Sequence, residues 1–138
     1  MLFRSNRIAE AGLLDRTEFI AVADGERRRI GPVDCQFVPV THSVPHGFAI
    51  AFFTPAGTIV HTGDFKIDLT PFDGRRTDLA LLGEIARGDG GVRLLLSDST
   101  NAERPGFTPS ESTVGATMRG LFRAHPDRRF IEIGRAHV

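Results

Sequence analysis

Apolar residues in the first half of the chain recur mainly with period two, which predicts strands rather than helices there. Glu18-Phe19-Ile20-Ala21-Val22 and Arg28-Arg29-Ile30 read as two strands joined by a turn at Asp24-Gly25. The alternating run Cys35-Gln36-Phe37-Val38-Pro39-Val40 predicts a third strand over 35–41, which delivers the chain to Thr41-His42-Ser43. Two more strands, 48–54 and 57–62, flank Thr54-Pro55-Ala56-Gly57. Pro at the second turn position pre-sets φ and Gly fills the fourth, as a type I turn favours. Phe48, Ile50 and Phe52 alternate with Ala49, Ala51 and Phe53, so both faces of this hairpin are apolar, as in a buried strand pair.

Helical spacing takes over in three places. Residues 5–11 predict a short helix with Ser5 as N-cap and Gly12 as its stop. Thr77 to Arg87 predicts a second, with Leu79, Leu82, Ile85 and Ala86 on one side and Gly88 ending it. A buried strand, Val92 to Leu96, then leads to Ser97-Asp98-Ser99-Thr100. The last helix starts with Thr108 as N-cap, Pro109 at the first helical position and Glu111 completing a capping box. Its core stripe is Val114, Met118, Leu121 and Phe122. No repeat, low-complexity tract or linker interrupts the pattern. Strands and helices mix without regular βαβ alternation, which favours a layered α/β sandwich over a doubly wound sheet.

Composition narrows the setting more than the function. A chain of 138 residues makes one domain or part of one. Its 17 basic and 17 acidic residues cancel, so the whole-chain charge points to neither nucleic acid nor a membrane surface. A local basic groove is compatible with that neutral total. The single cysteine, Cys35, has no internal disulfide partner and sits in an apolar strand pattern, where a small core side chain is the simplest reading. With no secretory leader and no apolar run near the ~20 residues of a membrane span, a reducing cytoplasm is expected.

Reactive side chains collect where strands end. His42 follows the third strand, His61 and Asp64 close the hairpin, and Asp98 to Asn101 close the last strand. Strand ends hold side chains rigidly while leaving them open to a cleft, which suits metal ligands and catalytic acids. Each residue also has an ordinary reading. A strand-end histidine serves as a surface or capping group, and an aspartate after Thr-Gly bonds its own backbone in a turn. Asp98-Ser99-Thr100 fits a plain cap and loop.

Three strings change that balance: THSVPHG (41–47), HTGDFKIDLTP (61–71) and LLSDSTNAERPG (95–106). In order and spacing they resemble ribonuclease J, in the β-CASP branch of the metallo-β-lactamase superfamily, over about residues 5–131. The resemblance implies an α/β fold, a partial metallo-β-lactamase αββα sandwich with a mixed or antiparallel sheet, reaching the start of the β-CASP region by residue 131. It implies two Zn²⁺ ions in the complete enzyme, with His42 a terminal ligand and Asp64 a bridging carboxylate. Asp98 would be the catalytic acid that hydrogen-bonds a histidine without ligating metal. Imidazole and carboxylate suit Zn²⁺, and paired metals suit phosphodiester hydrolysis.

The same resemblance implies RNA as substrate, cleaved internally and from the 5′ end, by a homo-oligomer free of membranes. His46 stands where the family pattern carries Asp, and is read as a surface residue or a support behind a ligand. His61 either stays in its strand or orients Asp64 from behind. Lys66 either contacts a backbone phosphate or makes a solvated ion pair. The superfamily's His-x-His-x-Asp-His string is absent and expected upstream of Met1, with further histidines expected beyond Val138. The chain is therefore expected to be an internal piece, inactive alone. Competing readings are a catalytically dead RNA-binding or scaffold paralogue, and another hydrolase of this fold acting on a small ester or lactam.

After Ile131 the family pattern stops. One codon choice for EIGRAHV, GAG ATC GGA AGA GCA CAC GTC, contains a common sequencing-adapter string. Residues 132–138 are accordingly expected to be a non-native tail, and His137 to carry no function.

Overall fold

A computed structural model describes residues 8–88 and 90–131; Ser5 and the 132–138 tail lie outside the described residues. Five strands form one sheet in chain order: β1 (Arg27–Ile30), β2 (Val33–Val40), β3 (Gly47–Thr54), β4 (Gly57–His61) and β5 (Val92–Leu96). The first four pair antiparallel, and β5 joins β4 in parallel. A parallel neighbour needs a crossover, and helix α1 (Leu79–Arg87) provides it. Helix α2 (Ser112–Ala124) follows β5. The α/β class and mixed sheet agree with the sequence reading.

The core lies between α1 and one sheet face. Val38, Val40, Ala49, Ala51 and Val60 point to this side and are buried together with Ile85. The alanines of β3 keep the sheet surface low, so Leu81 and Leu82 also pack against it. The helix therefore presents Leu81 where Leu79 was expected; Leu79 is exposed. On the opposite face Phe37 meets Phe48 edge to face at 5.8 Å, while Phe48, Ile50 and Phe52 are half-buried. That face is less covered than two-sided burial requires.

Further expectations are corrected. Glu18 to Val22 is not a strand, because among the described residues its backbone has no ladder partner. The Asp24-Gly25 turn precedes β1 instead of joining two strands, and the real hairpin turn is Gly31-Pro32 between Ile30 and Val33. Gly31 has φ of 57° at the first loop position, and Pro32, barred from positive φ, selects the turn that needs such a glycine only there. Strand β5 exists as drawn but is exposed along Arg93 to Leu96, since it is the sheet edge.

The capping box at the last helix does not form. The helix begins at Ser112, and Glu111 makes no cap bond. Glu111 instead accepts from Lys66 Nζ at 2.9 Å, and Nζ also donates to the Pro109 carbonyl at 2.7 Å. Asp68 accepts the Glu111 and Thr70 amides at 2.8 and 3.0 Å. Ser110 accepts the Ser112 amide at 3.2 Å, which supplies local capping. The predicted stripe of Val114, Leu121 and Phe122 remains exposed, with Met118 half-buried.

Arg75 is the long-range staple. Its guanidinium donates to the Val40 and Gly47 carbonyls at 3.1 and 2.9 Å, reaches Asp24 at 2.7 Å and lies 4.8 Å over the Phe48 ring. Arg75→Ala leaves both carbonyls without this donor and is expected to cost about 1–3 kcal/mol in urea unfolding. Arg75→Lys should recover only part, because an ammonium cannot reproduce the fork. Full stability in either variant would remove Arg75 from this role.

Asp68 gives a pH test. Burial raises its pKa, but the Glu111 and Thr70 amides, Ser110 and Lys66 outweigh this and hold it below the ordinary 3.8. Its contribution is thus present above the ordinary carboxylate range and lost as pH falls through the lower folded value. Asp68→Asn should flatten that part of the acid-unfolding curve; an unchanged curve would assign the transition to other carboxylates.

Candidate active site

Strands β2 and β4 are both antiparallel to β3, hence parallel to each other, and β5 runs with β4. Their C-terminal ends therefore share one sheet edge, where His42, His61, Asp64 and Asp98 emerge. Buried threonines fasten this edge. Thr41 and Lys66 form an antiparallel bridge, with the Lys66 amide donating to the Thr41 carbonyl at 2.8 Å. That sets His42 beside Phe65, one residue from Asp64. The Thr77 hydroxyl accepts the Thr41 amide at 2.9 Å and donates to the Lys66 carbonyl at 2.8 Å.

Thr62 does the same between β4 and β5. Its amide donates to the Leu96 carbonyl at 3.0 Å, and its hydroxyl accepts the Asp98 amide at 2.9 Å. Between these two threonine junctions the backbone turns through Gly63, whose φ is 60°. A Cβ there would stand 3.0 Å from the Phe48 carbonyl oxygen. The glycine before Asp64 is needed for both reasons.

A shallow cleft of about 400 Å³ opens here, lined by His61, Gly63, Asp64, Leu95, Leu96, Ser97 and Asp98. Asp64 is exposed and makes no hydrogen bond among the described residues. His61 Nδ1 accepts the Gly63 amide at 3.0 Å, so it supports the turn carrying Asp64. His42 is half-buried, and its Nδ1 takes the Val44 amide at 3.3 Å. His46 lies on the exposed β2–β3 loop with φ of 61°, a conformation that Asn, Asp and His enter more readily than most residues. Lys66 is committed to Pro109 and Glu111, the ion pair of its two readings, although its side chain is mostly buried rather than solvated.

Asp98 accepts both the hydroxyl and the amide of Thr100, at 2.6 and 2.9 Å. Those bonds hold its carboxyl below the ordinary 3.8, with the Phe65 amide adding to them against a burial penalty. It is a carboxylate near neutral pH. Cys35, by contrast, is buried, and burial and then the Asp34 charge push its thiol pKa up. It is a core side chain with no part in the cleft.

Imidazole nitrogen and carboxylate oxygen are donor types that Zn²⁺ takes, so His42 and Asp64 fit the ion in kind. Two donors do not close a four-coordinate site, and among the described residues no three His, Cys, Asp or Glu side chains converge on one point. While His42 Nδ1 accepts an amide, the proton of its neutral ring sits on Nε2. The ring must leave Val44 to offer a lone pair. The sequence reading missed the threonines and Arg75; for Thr41 and Thr62 the available signal was a threonine at a strand end beside an imidazole.

The fold alone defines an α/β domain built on a mixed sheet, with polar side chains gathered at one edge. It is shared with a crystal structure of a protein of unknown function from Enterococcus faecalis V583, with TM-score 0.55 and 19% identity, covering 80% of this chain and 26% of that one. No family model matches. Among curated relatives, ribonuclease J of Mycobacterium tuberculosis (strain ATCC 25618 / H37Rv) is 51% identical over 110 residues, 80% of this chain and 19% of its own length. Ribonuclease J of Synechocystis sp. is 45% identical over 123 residues, 88% and 19% of the two chains. That of Helicobacter pylori (strain 26695) is 49% identical over 94 residues, 68% and 13%. The chain belongs to the ribonuclease J family, and spans 19% or less of the length of these three relatives. Among the described residues no helix is long and apolar enough to cross a membrane.

The Asp98 account can be checked by NMR titration. Thr100→Val removes the shortest bond to the carboxylate and should raise the Asp98 pKa toward the ordinary value, while Thr100→Ser should leave it low. No movement in the valine variant would mean that Thr100 does not set it.

Proposed function

We propose that this chain supplies part of a zinc-dependent centre that hydrolyses RNA phosphodiester bonds. In this reading His42 is a terminal ligand, Asp64 a carboxylate bridging two ions, and Asp98 an acid that steadies a histidine contributed from outside the described residues. The observation that carries it is the common edge of β2, β4 and β5. Membership of the ribonuclease J family supports reading that edge as a nuclease site in preference to an ordinary set of loop ends. Bound zinc would supply Lewis acidity and a water activated to a pKa of roughly 7.

The chain's own residues have simpler tasks. Asp64, exposed at the strand end, would offset the repulsion between two bound cations through its carboxylate. His61 braces the Gly63 turn behind it. Asp98, already ionised, favours the protonated form of an imidazole beside it, poised to give its proton to the leaving oxygen. His46 faces solvent from a strained loop and takes no part in binding metal. As the family resemblance implies, the assembled enzyme is a cytoplasmic homo-oligomer that cuts RNA internally and from the 5′ end.

Two donors predict that the isolated chain binds zinc weakly and turns over no 5′-monophosphorylated RNA with zinc or manganese. Zinc-dependent turnover by this chain, abolished by His42→Ala, would show that it holds a complete centre. In a full-length enzyme carrying this segment, Asp64→Asn should cost more activity than His46→Ala. Equal losses with equal loss of zinc would make His46 a ligand. Asp98→Asn should lower turnover by roughly 10²–10⁴-fold, the scale of general acid catalysis, with zinc content and Tm unchanged. Near-normal turnover would leave Asp98 a loop residue bonded to Thr100.

A further inference from the structure

Thr77 stands one residue before the N-cap of α1, and only 8% of it is exposed. It is not needed to cap that helix. Asp78 does so, its carboxylate accepting the Leu81 amide at 2.9 Å. The Thr77 hydroxyl turns instead toward the sheet edge, where it bonds the Thr41 amide and the Lys66 carbonyl. Those two residues are bonded to each other through the Lys66 amide and the Thr41 carbonyl. Thr41 directly precedes His42, and Lys66 follows Asp64 by two residues.

One hydroxyl thus closes a three-point junction behind both candidate ligands. The isolated Thr41–Lys66 bridge is flanked by no regular ladder, so without Thr77 its remaining amide and carbonyl lose their partners. Thr41 is further held through its own hydroxyl, which donates to the Arg75 carbonyl at 2.9 Å. Helix α1 in turn is anchored by the core through Ile85. The junction therefore refers the spacing of His42 and Asp64 to the rigid part of the domain.

We propose that Thr77 is a positioning residue for the metal centre, its hydroxyl fixing the separation of the His42 and Asp64 backbones and so setting cation affinity. This rests on the reading of His42 and Asp64 as ligands. Metal–ligand distances tolerate deviations of only about 0.2 Å, so a small shift of the bridge is felt at the ion. Thr77→Val keeps the shape and removes both bonds. Thr77→Ser keeps the hydroxyl and gives up a methyl group.

The test measures zinc affinity by chelator competition, well below Tm, in the full-length enzyme carrying this segment. Thr77→Val is expected to weaken zinc binding by roughly 10–100-fold, as loss of a ligand's supporting partner does, and Thr77→Ser to restore it. A purely structural hydroxyl would lower Tm in the valine variant while leaving zinc affinity at 25 °C unchanged, and that result would overturn the proposal. His42→Ala and Asp64→Asn serve as controls. If they weaken zinc binding and Thr77→Val does not, the positioning role fails alone; if they too leave it unchanged, the ligand reading fails with it. Should Thr77→Val not fold, Thr77→Ala, which leaves room for a bridging water, takes its place with the same criterion. Failure of both to fold would make the hydroxyl a folding requirement and end the proposal.

Discussion

The ladder between β2 and β3 runs from Asp34 opposite Phe53 to Val40 opposite Gly47, and its register governs everything built on it. In this register Val38 and Val40 share a face with Ala49 and Ala51, and α1 settles on that face. A slip of β3 by one residue would turn Phe48, Ile50 and Phe52 toward the helix and lift it off the sheet. Because β3 reverses direction between β2 and β4, the same ladder also sends the ends of those two strands to one edge. Core packing and the gathering of His42 with Asp64 are two consequences of one pairing.

What happens at that edge is a problem in unpaired backbone groups. Where a ladder stops, amides and carbonyls must find other partners or face water. Thr41, Thr62 and Thr77 provide them, and each threonine is buried. Their bonds run between segments distant in sequence, from Thr41 to Thr77 and from Thr62 to Asp98. The strand ends are tied laterally just before the chain turns outward, which separates a rigid layer of hydroxyls from a solvent-facing layer of imidazoles and carboxylates.

The sequence revealed what local patterns control. Period-two runs located β2, β3 and β4, and the clustering of His42, His61, Asp64 and Asp98 at strand ends was visible before any coordinates. It misled where a distant group competes for a local one. Glu111 has the spacing of a capping box, yet Lys66, 45 residues away in sequence, takes its carboxylate. Phe19 and Ile20 have strand character but no neighbouring strand among the described residues, and remain exposed. Leu94, Leu95 and Leu96 are apolar enough for a core, but β5 is the sheet edge and their sides are open. Individual residue roles at the site came from family resemblance, since spacing alone left His42 and Asp64 with ordinary readings.

That division between buried hydroxyls and exposed donors bears on how such a site coexists with a stable fold. Side chains that complete the backbone's hydrogen bonding cannot be given up to a cation without loosening the sheet edge. Lys66 illustrates the first kind: its ammonium is spent on Pro109 and Glu111, and freeing it would release the start of α2. Asp64 illustrates the second, since it makes no hydrogen bond among the described residues while its backbone is held by bonds on either side, at Thr62 and Lys66. His42 lies between the two, with a long contact to Val44 as the hydrogen bond to leave among the described residues. A donor can serve a ligand at little cost to the fold when its backbone is fixed and its side chain is idle. At this edge Asp64 meets both conditions, and His42 meets them once its ring turns.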